Sequence, residues 1–268
     1  MKMGKWKIGV IGVGGISVQH IQAYQNNPEA ELYAFCDINE SRLRKMGEKY
    51  GVTRLYTDKD EMLRALPELD AVSVCTWNSA HAPCTIAALN AGKHVLCEKP
   101  MAVSAAQAEE MAEAARRNNR LLMMGFVRRY EQGTALLREL TEQGFFGDLY
   151  YAKATYLRRN GNPGGWFGDK SRSAGGPLID LGVHVIDLTR YLMGNPKAVS
   201  VYGATFQKLL DRPDIRTPKA YRASSAKPDD ICDVEDLASA MIRFDNGAVL
   251  QVEASFSLNL KEDTGSVQ

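Results

Sequence analysis

A chain of 268 residues has room for one large domain or two ordinary ones, each able to bury a core. Hydrophobic residues at 45% and charged residues at 24% exclude a disordered, collagenous or coiled-coil chain. Lys plus Arg number 33 against 32 Asp plus Glu, a net charge of +1, so no basic field draws the chain to nucleic acid or to an anionic membrane, and a small ligand is expected instead.

From the N-terminus to Gly125, short β-branched runs alternate with segments of helical period, the sequence form of βαβ units around a parallel sheet. Trp6–Val13, Glu31–Cys36, Ala71–Thr76, His94–Cys97 and Leu121–Gly125 are apolar enough to be buried on both faces, as parallel strands are. A helix should open after Gly12–Ser17, and others at Ser41–Tyr50, Ala80–Ala91 and Ser104–Asn118, with apolar residues at i, i+3 and i+4. Ser41 and Ser104 are placed as N-caps, Gly51 and Gly92 as C-terminal caps.

After Gly125 the pattern changes. A helix at Gln132–Glu142 leads to an alternating strand, Asp148–Leu157, whose polar positions imply one wet or ligand-facing side. The loop Arg158–Gly176 carries Trp166 and Phe167, which argues for a binding element over a linker. A helix at Pro177–Leu192 follows, then strands Ala198–Gln207 and Val234–Asp245 and a hairpin through Asn246-Gly247 into Ala248–Leu258, an expected antiparallel sheet. Leu209–Asp233 reads as an irregular surface excursion. The expected fold class is therefore α/β, with domains 1–125 and 126–268. No run is long and apolar enough for a membrane helix, and the N-terminal apolar stretch is short and Gly-interrupted, unlike a signal peptide. Five cysteines without a Cys-x-x-Cys pair suit a reducing cytoplasm, and no metal site is expected.

Three clusters carry chemistry. Gly12-Val13-Gly14-Gly15-Ile16-Ser17 matches the dinucleotide fingerprint with Ser17 as its third small residue: Gly12 permits the tight turn, Gly14 lets backbone approach a pyrophosphate, and Gly15 to Ser17 open a helix with free N–H donors. Asp37 ends the next strand about 20 residues on, where a carboxylate accepts ribose hydroxyls. The competing reading is a Gly-rich turn with an N-capping Asp. Asp37 favours NAD, because a carboxylate repels a 2′-phosphate, whereas Arg42 and Arg44 keep NADP open. Glu98-Lys99-Pro100 and Thr76-Trp77-Asn78-Ser79-Ala80-His81 each follow a strand and reach the same carboxyl edge, so Lys99 is either poised over a cleft or an ordinary surface lysine. Asp180 and His184, four apart, lie on one helix face as an acid/base pair or as a plain surface pair. His20 and His94 read as structural.

Taken in this order and spacing, the clusters resemble the glucose-fructose oxidoreductase, inositol dehydrogenase and MocA family of nicotinamide-dependent oxidoreductases over essentially the whole chain. Gly125-Phe126-Val127-Arg128-Arg129-Tyr130, Trp77 and Arg159-Asn160 are most similar to the inositol dehydrogenase branch. The resemblance implies a Rossmann domain followed by an α+β substrate and oligomerisation domain with an open, mostly antiparallel sheet, assembled as a homodimer or homotetramer. It implies Lys99, Asp180 and His184 as catalytic residues. Gly12, Gly14, Gly15, Ile16, Asp37, Thr76, Trp77, Asn78, His81, Glu98 and Lys99 would face NAD. Arg128, Asn160, Trp166, Lys99, Asp180 and His184 would face a polyhydroxylated substrate. The implied activity is hydride transfer from a secondary alcohol of a sugar, inositol or related polyol to NAD. An NADP-dependent keto-sugar reductase and a regulator that binds nucleotide without turnover are the rivals. Two departures stand out: Ala174 replaces the first Gly of the family's Gly-Gly-Gly, and family members generally run on beyond the point where this chain stops. The second sheet is accordingly expected to lack strands, in a fragment or in a shortened member.

Overall fold

The computed structural model describes residues 4–159, 161–209, 221–223 and 225–268. The chain divides into two units, Met1–Gly125 and Phe126–Gln268.

In the first unit the apolar runs become β1 (Trp6–Ile11), β2 (Ala30–Cys36), β4 (Ala71–Val74), β5 (His94–Cys97) and β6 (Leu122–Met124), joined by a two-residue β3 (Leu55–Tyr56). The sheet runs β3-β2-β1-β4-β5-β6 with every pairing parallel, the doubly wound order whose switch point lies between β1 and β4. Alternate residues of a strand face opposite sides, so β1 feeds two cores. Val10 packs with Phe35, Ile21 and Leu43, while Ile11 packs with Val74, Leu89 and Met111. The helices between the strands are α1 (Ser17–Gln25), α2 (Glu40–Tyr50), α3 (Lys59–Ala65), α4 (His81–Asn90) and α5 (Ala105–Arg117). Ser104 caps α5 by accepting the Gln107 amide, and Gly51 closes α2 at φ +71°. The α2 N-cap is Asn39, not Ser41: its side chain takes the Arg42 amide at 2.9 Å and starts the helix at Glu40. β3 and α3 left no periodic signal because they are short; α3 is set by Asp58, which accepts the Glu61 amide at 2.7 Å.

The second unit contains α6 (Gln132–Glu142), β7 (Tyr151–Leu157), a short α7 (Lys170–Ser173), α8 (Val183–Leu192), β8 (Ala198–Phe206), β9 (Leu237–Phe244), β10 (Val249–Ser255) and β11 (Thr264–Val267). Its sheet, ordered β11-β7-β10-β9-β8, is mixed: β7 pairs in parallel with β10, and the other pairings are antiparallel. Thr264–Val267 does not trail off after the last strand; it pairs with Leu157–Ala154 and adds a strand of its own. Ala152, Ala154, Leu250 and Val252 on one sheet face form the core with Val185 of α8. The described part of the expected surface excursion does lie at the surface, with Tyr221 and Ile231 58% and 66% exposed, and a few contacts tie it to the unit. Ala223 is buried and its amide reaches Pro163 O at 3.0 Å, while Gly165 N donates to Asp230 at 2.6 Å. The rest of the excursion, 210–220 and 224, lies outside the described residues.

Candidate active site

In a parallel sheet all strand C-termini share one edge, so the segments after β1, β2, β4 and β5 meet at the switch point. Gly12 turns at φ +86°, where a Cβ would stand 2.7 Å from the Cys75 carbonyl oxygen, so only glycine fits. A Cβ on Gly14 would meet nothing within 4 Å: the backbone there borders open space. Ser17 is buried, and its hydroxyl donates to Gly14 O at 2.7 Å, tying the loop to α1 as the third small residue. No side chain caps α1 and no acid lies in its first turn, while Ile16 is 45% exposed beside it. An uncapped N-terminus over open space is what a pyrophosphate needs.

Asp37 is buried at the end of β2. Its Oδ2 accepts the Val13 amide at 2.9 Å and its Oδ1 the Asn39 amide at 2.8 Å, so the carboxylate ties the glycine loop to the next turn. Each oxygen keeps a lone pair for a ribose hydroxyl. The arginines that kept NADP open both face carboxylates: Arg42 is 3.7 Å from Asp37 and Arg44 is 2.6 Å from Glu40.

Behind this edge lies a polar chain that sequence reasoning missed. Ser73, on the α1 side of β4, accepts or donates to Tyr24 Oη at 2.6 Å and meets His20 Nδ1 at 3.2 Å, and His20 Nε2 meets Glu98 Oε1 at 2.9 Å. Glu98 Oε2 takes the Lys99 amide at 3.2 Å. Burial alone would raise the Glu98 carboxyl, but the bond and charge of His20 and the adjacent Lys99 outweigh it and hold the pKa below the ordinary value. The only sequence hint was spacing: His20 and Tyr24 are one helical turn apart and face the same strand. Lys99, half-buried, precedes a cis bond to Pro100.

Thr76 and Trp77 are half-buried on the loop after β4, with Thr76 Oγ1 donating to Trp77 O at 3.2 Å, whereas Asn78 is buried beneath them. His81, 1% exposed, has Nδ1 2.6 Å from Pro100 O and Nε2 3.1 Å from Thr76 O. Both ring nitrogens face backbone carbonyls, and the single N–H of the neutral imidazole donates to one of them, so His81 sits buried between two loops of the edge. Burial pushes its pKa down, against the two carbonyls, which would raise it.

In the second unit, Asp180 and His184 do not share one regular α-helix. Leu178–Gly182 is a π turn that passes into α8 at Val183, so Asp180 lies in the wide turn and His184 in the first turn of α8. Close packing calls for glycine around this turn: a Cβ on Gly182 would stand 3.0 Å from Leu178 and 3.3 Å from Ala254 of β10, and one on Gly176 would collide with the Glu235 carbonyl. Glu235, which sequence reasoning gave no role, holds the entry to this turn. Its Oε2 accepts the Gly176 amide at 2.8 Å and its Oε1 the Leu178 amide at 3.4 Å. Asp180 is buried. At the far end Arg129 clamps Asp187 with two hydrogen bonds, Nε to Oδ2 at 2.7 Å, and this raises the arginine's pKa.

Arg128 lies 5.1 Å from the Tyr156 ring centroid, beside a cavity of about 410 Å³. Trp166 stacks on Phe167 with centroids 4.0 Å apart, and Phe167 meets Tyr221 of the cavity wall edge-on. Asn160 lies outside the described residues.

The strand order, the fingerprint turn and the open N-terminus of α1 define a dinucleotide-binding Rossmann protein with a second α/β unit. Residues 6–126 match the family model described as an oxidoreductase family with an NAD-binding Rossmann fold, and 134–267 match the GFO/IDH/MocA C-terminal domain. The chain belongs to the GFO/IDH/MocA oxidoreductase family. It is 38% identical over 260 residues to D-glucoside 3-dehydrogenase of Escherichia coli K12, covering 96% of this chain and 72% of that protein. It is 36% identical over 188 residues to myo-inositol 2-dehydrogenase of Thermotoga maritima, covering 70% of this chain and 55% of the relative's length. Levoglucosan dehydrogenase in complex with NADH and levoglucosan superposes with a TM-score of 0.83 at 27% identity, covering 98% of this chain and 70% of that one.

Proposed function

We propose that this protein is an NAD-dependent dehydrogenase that oxidises a secondary alcohol of a sugar, inositol or related polyol. The observation that carries the reading is the glycine loop, where Gly14 borders open space ahead of an uncapped helix and Asp37 stands ready for a ribose. Relatives named for glucoside, inositol and levoglucosan oxidation support the substrate class. NAD is preferred to NADP because Arg42 and Arg44 already face Asp37 and Glu40.

NAD, when bound, accepts the hydride. Gly12, Gly14, Gly15 and Ile16 would hold its pyrophosphate, and Asp37 its adenosine ribose. Thr76, Trp77 and Asn78 form the wall beyond, and Glu98 and His81 hold that wall in place. His184 takes the hydroxyl proton as general base, with Asp180 orienting the imidazole. Lys99 donates to the reacting oxygen and stabilises its developing negative charge. Arg128 and Trp166 contact the rest of the substrate. The half-buried ammonium of Lys99 makes the sharpest test: Lys99→Ala should lower kcat by about 10²–10³-fold, as the loss of one donor to a developing oxyanion does. Unchanged turnover on a confirmed substrate would remove Lys99 from the mechanism.

Assembly as a homodimer or homotetramer is proposed through the outer face of the second sheet. There Tyr202 and its register partner Met241 are 86% and 53% exposed. A monomeric mass by light scattering would contradict this. Among the described residues no helix is long and apolar enough to cross a membrane, and a cytoplasmic setting is proposed for an enzyme of this class.

A further inference from the structure

The cavity beside Tyr156 has chemistry that a neutral polyol does not ask for. Arg128 reaches it from the 3-10 turn Val127–Tyr130 and Arg158 from the residue after β7; each guanidinium carbon is 5.1 Å from the centroid of the one Tyr156 ring. Arg158 Nη2 also donates to Tyr156 Oη at 3.1 Å. Among the described residues neither side chain has a carboxylate within ion-pair distance. Arg129, Arg138 and Arg172 of the same unit, by contrast, are paired with Asp187, Glu142 and Asp169. The carboxylate on the wall, Asp263, accepts the Arg159 backbone amide through Oδ1 at 3.0 Å. The described wall thus carries two cations and one anion.

A guanidinium only donates hydrogen bonds, whereas a hydroxyl both donates and accepts, so the two arginines serve only the oxygens of a neutral sugar and leave its hydroxyl protons to the other wall groups, Asp263 among them. An oxyanion presents only acceptors, fits the planar fork of a guanidinium, and relieves the repulsion between two like charges at one ring. The cavity, about 410 Å³, is within the roughly 300–1,000 Å³ of small-molecule sites.

Its place in the fold ties it to the candidate catalytic turn of the same unit. Gly265, Tyr156 and Ala254 form one row across β11, β7 and β10, so their side positions share a sheet face. A Cβ on Gly182, midway between Asp180 and His184, would stand 3.3 Å from Ala254. The cavity therefore opens one strand away from the strand position that this turn covers.

We infer that the substrate is an acidic sugar, whose carboxylate or phosphate is held by Arg128 and Arg158. The inference rests on the dehydrogenase reading for the word substrate, while the oxyanion pocket stands on its own geometry.

The test is calorimetric titration of the 268-residue protein, with NAD present, against D-glucuronate, D-glucose 6-phosphate and D-glucose, with reduced cofactor followed in parallel. At least one anionic sugar should bind about tenfold or more tightly than glucose, as a charge-assisted hydrogen bond implies. The preference should shrink with added salt, and should collapse in Arg128→Met and in Arg158→Met. Comparison of the first two ligands tells carboxylate from phosphate. Equal or undetectable binding of all three by the wild-type protein would overturn the pocket whether or not the variants fold. Turnover of neutral sugars without any anionic preference would overturn the pocket and leave the dehydrogenase reading intact. Anion-selective binding with no reduced cofactor from any substrate would do the reverse.

Discussion

Gly12 was legible as a turn glycine because the fingerprint spacing demands one; what spacing could not give is the carbonyl of Cys75 lying against its missing side chain. Gly12→Ala should cost about 1–3 kcal/mol through the positive φ alone, with NAD binding lost as well; a melting curve and an NAD titration check both. Ala174 makes the opposite case. It caps α7 in the left-handed region at φ +66°, where a Cβ is penalised, so Ala174→Gly should stabilise the protein by about 1 kcal/mol in thermal or denaturant unfolding. His81 was legible as a residue of the edge, but its partners were not, since both are backbone carbonyls, which side-chain spacing does not reveal. Its depressed pKa gives a sign: the unfolded chain binds a proton near the ordinary value of 6.5 while the folded site resists. Stability is therefore full above 6.5 and falls as pH drops below it. The melting temperature of the wild type should fall across that window more steeply than that of His81→Gln; parallel curves would contradict the assignment.

Elements with a strong period were read correctly from sequence: β2, β5, α5 and α6 fall within a residue or so of their expected spans. Those that rest on a single cap or on pairing with a distant strand were not, and α3, β3 and β11 belong to that group. The turn at Leu178–Gly182 shows a third kind of limit. Its composition is helical, and helical period alone gives no sign of the π turn that the backbone adopts there. Glu235 holds two amides at its entry, so Glu235→Ala should destabilise the second unit by about 1–3 kcal/mol. It should also lower kcat through Asp180, with NAD affinity retained. Partial recovery of kcat in Glu235→Gln, which keeps one acceptor, would separate positioning from bulk stability.

At the scale of the whole molecule, groups carried on local motifs could be read from the sequence as candidates, whereas groupings assembled by topology could not. Gly12–Ser17 and Asp37 could be found from spacing alone. Arg128, Tyr156, Arg158 and Thr264 share a cavity wall only because β11 pairs with β7. The two units have separate cores, so hydrogen exchange should show NAD protecting the amides of Gly14–Ser17 and the Asp37–Asn39 turn most strongly. The account stands or falls on one measurement: titration of the purified chain with NAD, followed by a screen of sugars, sugar acids and polyols for formation of reduced cofactor, with His184→Ala alongside. It predicts NAD binding by both proteins and turnover of a polyhydroxylated substrate by the wild type, reduced about 10²–10⁴-fold in the variant. Absence of NAD binding, or turnover undiminished in His184→Ala, would contradict it.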